Sequence, residues 1–159
     1  MKSVMLTIRL KWFYLTYKGI KTIEVRKTAP KDFVGDVYEV VSKTNFEKDL
    51  MEIPENEREF FRKFKGKVGL KFTLNKVEET DHIVVEELLK SSCLTFKELD
   101  TYLNKKDGYG WGIDNLVIFD EPKELSEFTV SKTFMPKTKP LTFKRKLTKS
   151  PQSWCYVEV

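Results

Sequence analysis

The chain of 159 residues has the length of one domain, and its 40% hydrophobic and 13% aromatic residues suffice for a core, which excludes a wholly disordered chain. The net charge is a modest +5, and no stretch approaches the roughly 18 uncharged apolar residues of a membrane span. Arg9 and Lys11 interrupt the apolar stretch that a signal peptide would need, so we expect a cytoplasmic protein with no membrane contact.

Apolar and polar residues alternate from Val4 to Leu10, which predicts a strand with one face toward the core. Helical spacing then predicts a short helix that ends at Gly19, a residue suited to the left-handed conformation. From Thr22 to Lys27, alternation predicts a strand whose polar face carries Glu24 and Arg26. The remaining predictions, in chain order, are a strand at 36–42, a loop at 44–65 with a helix near 55–64, a strand at 67–77, helices at 84–90 and 95–104, a turn at 107–110, a strand at 111–119 that Pro122 ends, an extended lysine-rich connection at 131–149 and a final strand at 153–159. Strands outnumber helices, which indicates an α+β fold, mostly β.

The charge is distributed unevenly along the chain. Eight basic residues and one acidic residue in 1–31 give +7, 14 basic and 22 acidic residues in 32–128 give −8, and seven basic residues and one acidic residue in 129–159 give +6. Because the termini of a compact domain often lie close together, the two basic ends can form one positive surface. Such a surface is typical of nucleic-acid binding, and a solvated lysine surface is the alternative interpretation.

Motifs for metals and common cofactors are missing from the sequence. His82 is the sole histidine, and Cys93 and Cys155 do not have the paired spacing of zinc ligands, so we expect no metal site. The sequence has neither a phosphate-binding glycine loop nor a dinucleotide fingerprint, and we expect no cofactor.

The segment from Gly19 to Lys27 concentrates ionisable side chains at the junction of the first helix and the second strand. Glu24 and Arg26 lie on one strand face about 7 Å apart, close enough to reach each other or a shared ligand, and Lys21 can join them. A surface ion pair of little energetic value is the alternative.

This segment resembles the G-x-K-x-x-E-x-R signature of ASCH domains, which belong to the PUA-like superfamily. The preceding MLTIRLKWFYLTYKG resembles the strand and helix that lead into that signature. Tyr109 to Phe119, Pro122 to Phe128 and Pro151 to Glu158 resemble the phage and prophage branch of these proteins. The resemblance implies a single domain over residues 1–159, with inserts at 44–65 and 80–106.

The resemblance also implies a fold and a site. The fold is a PUA-like small β-barrel with flanking short helices, and its cleft holds the signature side chains and is proposed to bind RNA. One related branch resembles N4-acetylcytidine amidohydrolases, whose active site contains a lysine, a threonine and a later glutamate. Glu24 stands at the position of that threonine, so the nucleophile of that chemistry is missing here.

Three functional hypotheses follow. The first is a module that binds RNA, another single-stranded nucleic acid or a modified nucleotide in a basic cleft, with no turnover. The second is a small nucleoside amidohydrolase or ribonuclease in which Lys21 and Glu24 act as an acid–base pair. The third is a phage or prophage host-interaction protein that binds a protein partner through its acidic middle segment. The residues predicted to contact RNA are Arg9, Lys11, Lys21, Glu24, Arg26, Lys27, Trp111, Lys144 and Arg145.

Overall fold

A computed structural model describes residues 2–134, 137 and 139–159. The strands are β1 (Lys2–Ile8), β2 (Ile23–Arg26), β3 (Gly35–Val41), β4 (Val68–Leu74), β5 (Val77–Glu79), β6 (Tyr109–Gly112), β7 (Asp114–Lys123), β8 (Thr129–Phe134), β9 (Leu141–Lys146) and β10 (Trp154–Glu158). The helices are α1 (Leu10–Tyr17), α2 (Phe46–Leu50), α3 (Glu55–Arg62), α4 (Val85–Ser92) and α5 (Phe96–Leu103).

Two sheets organise the chain. The larger has seven strands in the order β7-β4-β3-β1-β10-β8-β9, and the smaller has three in the order β2-β6-β5. Strand β1 is parallel to β3 and antiparallel to β10, which confirms that the first and last strands are neighbours. The predicted α+β, mostly β fold with short flanking helices is confirmed, although hydrogen bonds do not close the sheet into a complete barrel.

Both faces of β1 are covered, because two hydrophobic clusters pack on opposite sides of it. Leu6 and Ile8 join the larger cluster, which contains the aromatic side chains of α1 and α3, whereas Met5 joins a second cluster with Phe128. A third cluster packs Val25 of β2 against α4 and α5. Strand β2 therefore has an apolar face toward these helices and, as its alternation predicts, a polar face on the opposite side.

The predicted helices are largely confirmed. Helix α1 is followed by Gly19 at φ +74°, a conformation that glycine adopts without a Cβ penalty. Helix α5 begins with a capping box between Thr95 and Glu98. Helix α2 lies where the sequence predicts a loop. Its five residues are too few for a helical period to stand out, and the burial of Phe46 and Leu50, one turn apart, holds it in place.

Several strand predictions are wrong, each for an identifiable reason. The 67–77 prediction spans two strands, β4 and β5, and the 111–119 prediction runs across the junction of β6 and β7. Pro122 lies inside β7, because β7 is an edge strand and a proline there removes no ladder hydrogen bond. The predicted turn at 107–110 is partly strand, since the chain reverses instead at Asn104 and Lys105, both with positive φ.

The extended connection predicted at 131–149 is also wrong. Strands β8 and β9 pair antiparallel there, and β9 forms the other edge of the large sheet. All six residues of β9 are exposed, so no apolar alternation marks it as a strand in the sequence.

Candidate functional site

An open cleft of about 600 Å³ lies where the carboxyl end of β1 meets α1, β2 and α5. Its volume falls in the range of about 300–1,000 Å³ that is usual for small-ligand sites. The lining residues are Thr7, Ile8, Arg9, Trp12, Lys21, Glu24, Val25, Arg26, Ser42, Thr44, Leu94, Lys97, Glu98, Thr101, Tyr102 and Gln152.

Lys21, Glu24 and Arg26 form the cleft floor, and the structure brings them together as the sequence predicts. The Lys21 Nζ donates to the carbonyl oxygen of Ser92 at 2.8 Å and lies 3.6 Å from Glu24 Oε2. The Arg26 Nε donates to Glu24 Oε1 at 3.2 Å. Lys21 and Glu24 expose only 3% and 6% of their surface, so these contacts form away from bulk water, where they are stronger than on a surface.

Arg26 also ties the small sheet to the large one. Its Nη2 donates to the carbonyl oxygen of Thr7 at 2.6 Å, and its Nη1 donates to the Ser153 hydroxyl at 3.3 Å. The planar guanidinium thus makes three directed hydrogen bonds that fix the position of β2 beside β1. Both cations of the cleft floor are therefore bound to protein groups.

Arg9 lines the cleft beside the floor and depends on α2 for its position. Its Nε and Nη2 donate to the two carboxylate oxygens of Asp49, a fully buried residue of α2. This paired geometry raises the pKa of the Arg9 guanidinium, chiefly through the hydrogen bond to Asp49. The unpredicted helix α2 therefore holds a predicted site residue in place.

Two aromatic rings and a lysine form the cleft mouth, which we define as Trp12, Tyr102 and Lys97, and Lys27 lies beside Tyr102 outside the cleft lining. The Lys27 Nζ lies 5.2 Å from the centre of the Tyr102 ring, and Lys97 lines the cleft from the same helix as Tyr102. Within the described residues, neither lysine has an ion pair. Lys11 stands beside Trp12, 4.8 Å from its ring centre, and pairs with Glu98 of α5 at 3.6 Å. That pair holds α1 and α5 together at the mouth.

Five of the predicted RNA contacts do not line the cleft, namely Lys11, Lys27, Trp111, Lys144 and Arg145. Trp111 is fully buried, and its Nε1 donates to the carbonyl oxygen of Thr28, so the prediction that it contacts RNA is wrong. Lys144 and Arg145 are exposed on β9, which β8 separates from β10. Neither of these two cations lines the cleft, and their contact with RNA stays a prediction.

Glu39 lies beneath the cleft floor and is not among the site residues that the sequence predicts. It lies on β3 with no exposed surface, and neither of its carboxylate oxygens has a hydrogen-bond partner. The pKa of Glu39 is raised to about 8, chiefly by burial and also by the charge of Glu24, while Lys21 and Arg26 oppose the rise. The available signal is one acidic residue within the apolar run VYEVV at 37–41.

Outside the cleft, Glu79, Asp81 and His82 place their ligand atoms within 4.8 Å of one another. All three side chains are exposed, and exposed acidic groups are common without a bound ion. The absence of a metal site therefore stays a prediction.

Comparison with known proteins supports the fold assignment. No family model matches the sequence, and no curated protein matches it. Among solved structures, the chain is similar to ASCH from Zymomonas mobilis, with a TM-score of 0.62 at 11% identity over 98% of this chain and 87% of that one. A mutant of the same Zymomonas mobilis protein gives a TM-score of 0.62 at 11% identity over 99% of this chain and 91% of the other. The chain therefore has the fold of ASCH domains. None of the helices in the described part of the chain is long and apolar enough to cross a membrane.

Proposed function

We propose that the protein is an RNA-binding module of the ASCH type, which takes one nucleotide of a single strand into the cleft. The observation that carries this proposal is the composition of the cleft mouth, where two aromatic rings lie with Lys97, while Lys27 lies beside the Tyr102 ring; within the described residues neither lysine has an ion pair. Single-stranded nucleic acid is bound by this combination, because aromatic rings stack on bases while cations contact phosphates.

The cations around the cleft differ in whether they already have protein partners, and this difference indicates which part of the nucleotide enters the cleft. Lys21 and Arg26 on the floor already bind Glu24 and backbone or hydroxyl oxygens. Lys97 at the mouth and Lys27 beside Tyr102 are the cations left for phosphates, whereas the Glu24 carboxylate on the floor would repel a phosphate. The base therefore enters the cleft and the phosphates stay at the mouth.

The test is fluorescence anisotropy of a labelled single-stranded RNA across a salt series. Affinity should fall with salt at a log–log slope of about −0.7 per neutralised phosphate. The Lys97→Ala and Lys27→Ala variants should each weaken binding and flatten the slope by about 0.7 or less. Lys48, exposed on α2 and outside the cleft lining, provides the matched control, because Lys48→Ala removes the same charge elsewhere. Salt-independent binding, or equal effects of all three variants, would contradict the proposal.

A hydrolase remains the second candidate, and the environment of Glu39 favours it. A carboxyl group with a strongly raised pKa beside a cleft is a common feature of active sites. In this alternative, Lys21 and Glu24 act as the acid–base pair on acetylated cytidine or RNA. The Glu24→Gln variant should then lose on the order of 10² to 10⁴ in turnover while RNA binding is retained. The third hypothesis, a protein partner of the acidic middle segment, stays a prediction.

A further inference from the structure

Three buried carboxylate oxygens beneath the cleft accept no hydrogen bond. They are Oε2 of Glu24 and both oxygens of Glu39, and in the described part of the chain they are the buried side-chain nitrogen and oxygen atoms without a hydrogen bond. Unpaired buried polar atoms are costly, so a cluster of three calls for a physical explanation. An explanation follows from the proximity of Glu24 and Glu39, which lie within electrostatic reach of each other. A proton on either carboxylate would turn one hydrogen-bond acceptor into a donor.

We propose that Glu39 is a positioning residue of the cleft, which holds a proton at neutral pH and donates it in a hydrogen bond to Glu24 Oε2. One proton then satisfies two of the three unpaired oxygens. The hydrogen bond fixes the carboxylate that Lys21 and Arg26 contact from its other sides, and so fixes the floor. The role in RNA binding rests on the proposed function, whereas the shared proton does not.

The surroundings of the two residues decide which of them carries the proton. Glu24 is contacted by Arg26 at 3.2 Å and lies 3.6 Å from Lys21, and both cations stabilise its anionic form. Glu39 pairs in register with Leu6 of β1 and Leu70 of β4, both apolar. Lys21 and Arg26 lie within electrostatic reach of it, but within the described residues it has no ion pair. Its pKa of about 8 agrees with a protonated side chain at pH 7.

The shared proton also sets the charge beneath the ligand. With Glu39 protonated, Lys21, Arg26 and Glu24 give the floor a net charge of +1, and ionisation of Glu39 reduces that to zero. Two other titratable groups face these cations, namely Cys93 near Lys21 and Tyr102 near Arg26 and Glu24. Burial raises the pKa of each above its ordinary value of 9.0 or 10.0, so neither titrates in the range where Glu39 does.

The first experiment needs no ligand, and its main measurement is made on the wild-type protein. Carboxyl ¹³C NMR of the wild-type protein, followed from pH 5 to pH 9.5, should show Glu39 protonated at pH 7. The Glu24 carboxyl and Lys21 ammonium signals should shift together with the Glu39 titration. In Glu39→Gln, which keeps an N–H donor and cannot ionise, that shared step should vanish. The proposal would be overturned if the Glu39 carboxyl were ionised at pH 6. It would also be overturned if the Glu24 carboxyl signal did not shift as Glu39 titrates.

The second experiment measures RNA affinity against pH at constant salt. The wild-type protein should lose at least about fivefold in affinity between pH 7 and pH 9, the lower end of typical coupling between two sites. Glu39→Gln should show a flat profile near the wild-type value at pH 7. A purely structural role would weaken binding equally at every pH, and this result would overturn the positioning role. If the wild-type protein binds no RNA at any pH, the proposed function fails. The NMR titration still tests whether Glu39 holds a proton that it shares with Glu24.

Discussion

The most direct energetic consequence of the buried Glu39 is a stability that falls as pH rises. Its pKa is about 8 in the folded protein against an ordinary value of 4.5, so the folded state holds a proton that the unfolded state releases between these two values. Each pH unit in that window lowers the free energy of unfolding by about 1.4 kcal/mol. Up to pH 7 the window covers about 2.5 units, which corresponds to about 3 kcal/mol. Below pH 4.5 this contribution to stability is fully present, and above pH 8 it is lost.

The Glu39→Gln variant removes this proton uptake, so its stability relative to wild type should rise by about 3 kcal/mol from pH 4.5 to pH 7. Any constant cost of the substitution cancels when only the difference between the two pH profiles is compared. The assay is urea unfolding of both proteins at pH 4.5, 5.5, 6.5 and 7.5, with linear extrapolation to water. Glu59→Gln is the matched control, since that side chain is 94% exposed on α3 and its profile should follow wild type. Parallel profiles for wild type and Glu39→Gln would refute the reasoning.

Three further predictions concern groups around the cleft. Trp12→Ala should weaken single-stranded RNA binding by about 1–3 kcal/mol through lost stacking, measured by anisotropy, with the ring-preserving Trp12→Phe losing less. Asp49→Ala should lower the free energy of unfolding by about 2–3 kcal/mol, measured in urea, because it removes two charge-assisted hydrogen bonds from Arg9; an unchanged midpoint would contradict this. Gly69→Ala should lower thermal stability by about 1–3 kcal/mol, measured by a melting curve, because an added Cβ would lie 2.5 Å from the ring of Phe13; a wild-type melt would show that the ring moves aside at little cost.

The part of the site that the sequence predicts is the part that is local in sequence. Lys21, Glu24 and Arg26 lie within six residues, and strand alternation together with the turn at Gly19 is enough to bring them together. Glu39 joins them only because β3 pairs with β1, a contact that no short-range pattern encodes.

The same limit explains the errors in assigning residues to the cleft. Helix α5 was predicted, but its burial of Leu99 and Leu103 is what turns Lys97 and Tyr102 toward the cleft, and that depends on packing against β2. The position of Lys144 depends on the strand order β10-β8-β9 in the large sheet, which no short sequence pattern encodes. The distribution of charge along a sequence predicts a charged surface patch only when the strand order places the charged segments side by side.

The cleft floor is a costly arrangement for a protein to maintain on grounds of stability alone. Buried ion pairs often contribute no more than apolar side chains of similar size, because desolvation offsets their attraction. This chain places two cations and two carboxyl groups among residues that are otherwise suited to an apolar core, with Glu39 beside Leu6 and Leu70. The directed contacts of Arg26 account for the docking of the two sheets, but they require only one acceptor on Glu24. Those contacts of Arg26 do not involve Lys21 or Glu39. Lys21 lines the cleft and Glu39 is fully buried, an arrangement that the proposed ligand binding would account for.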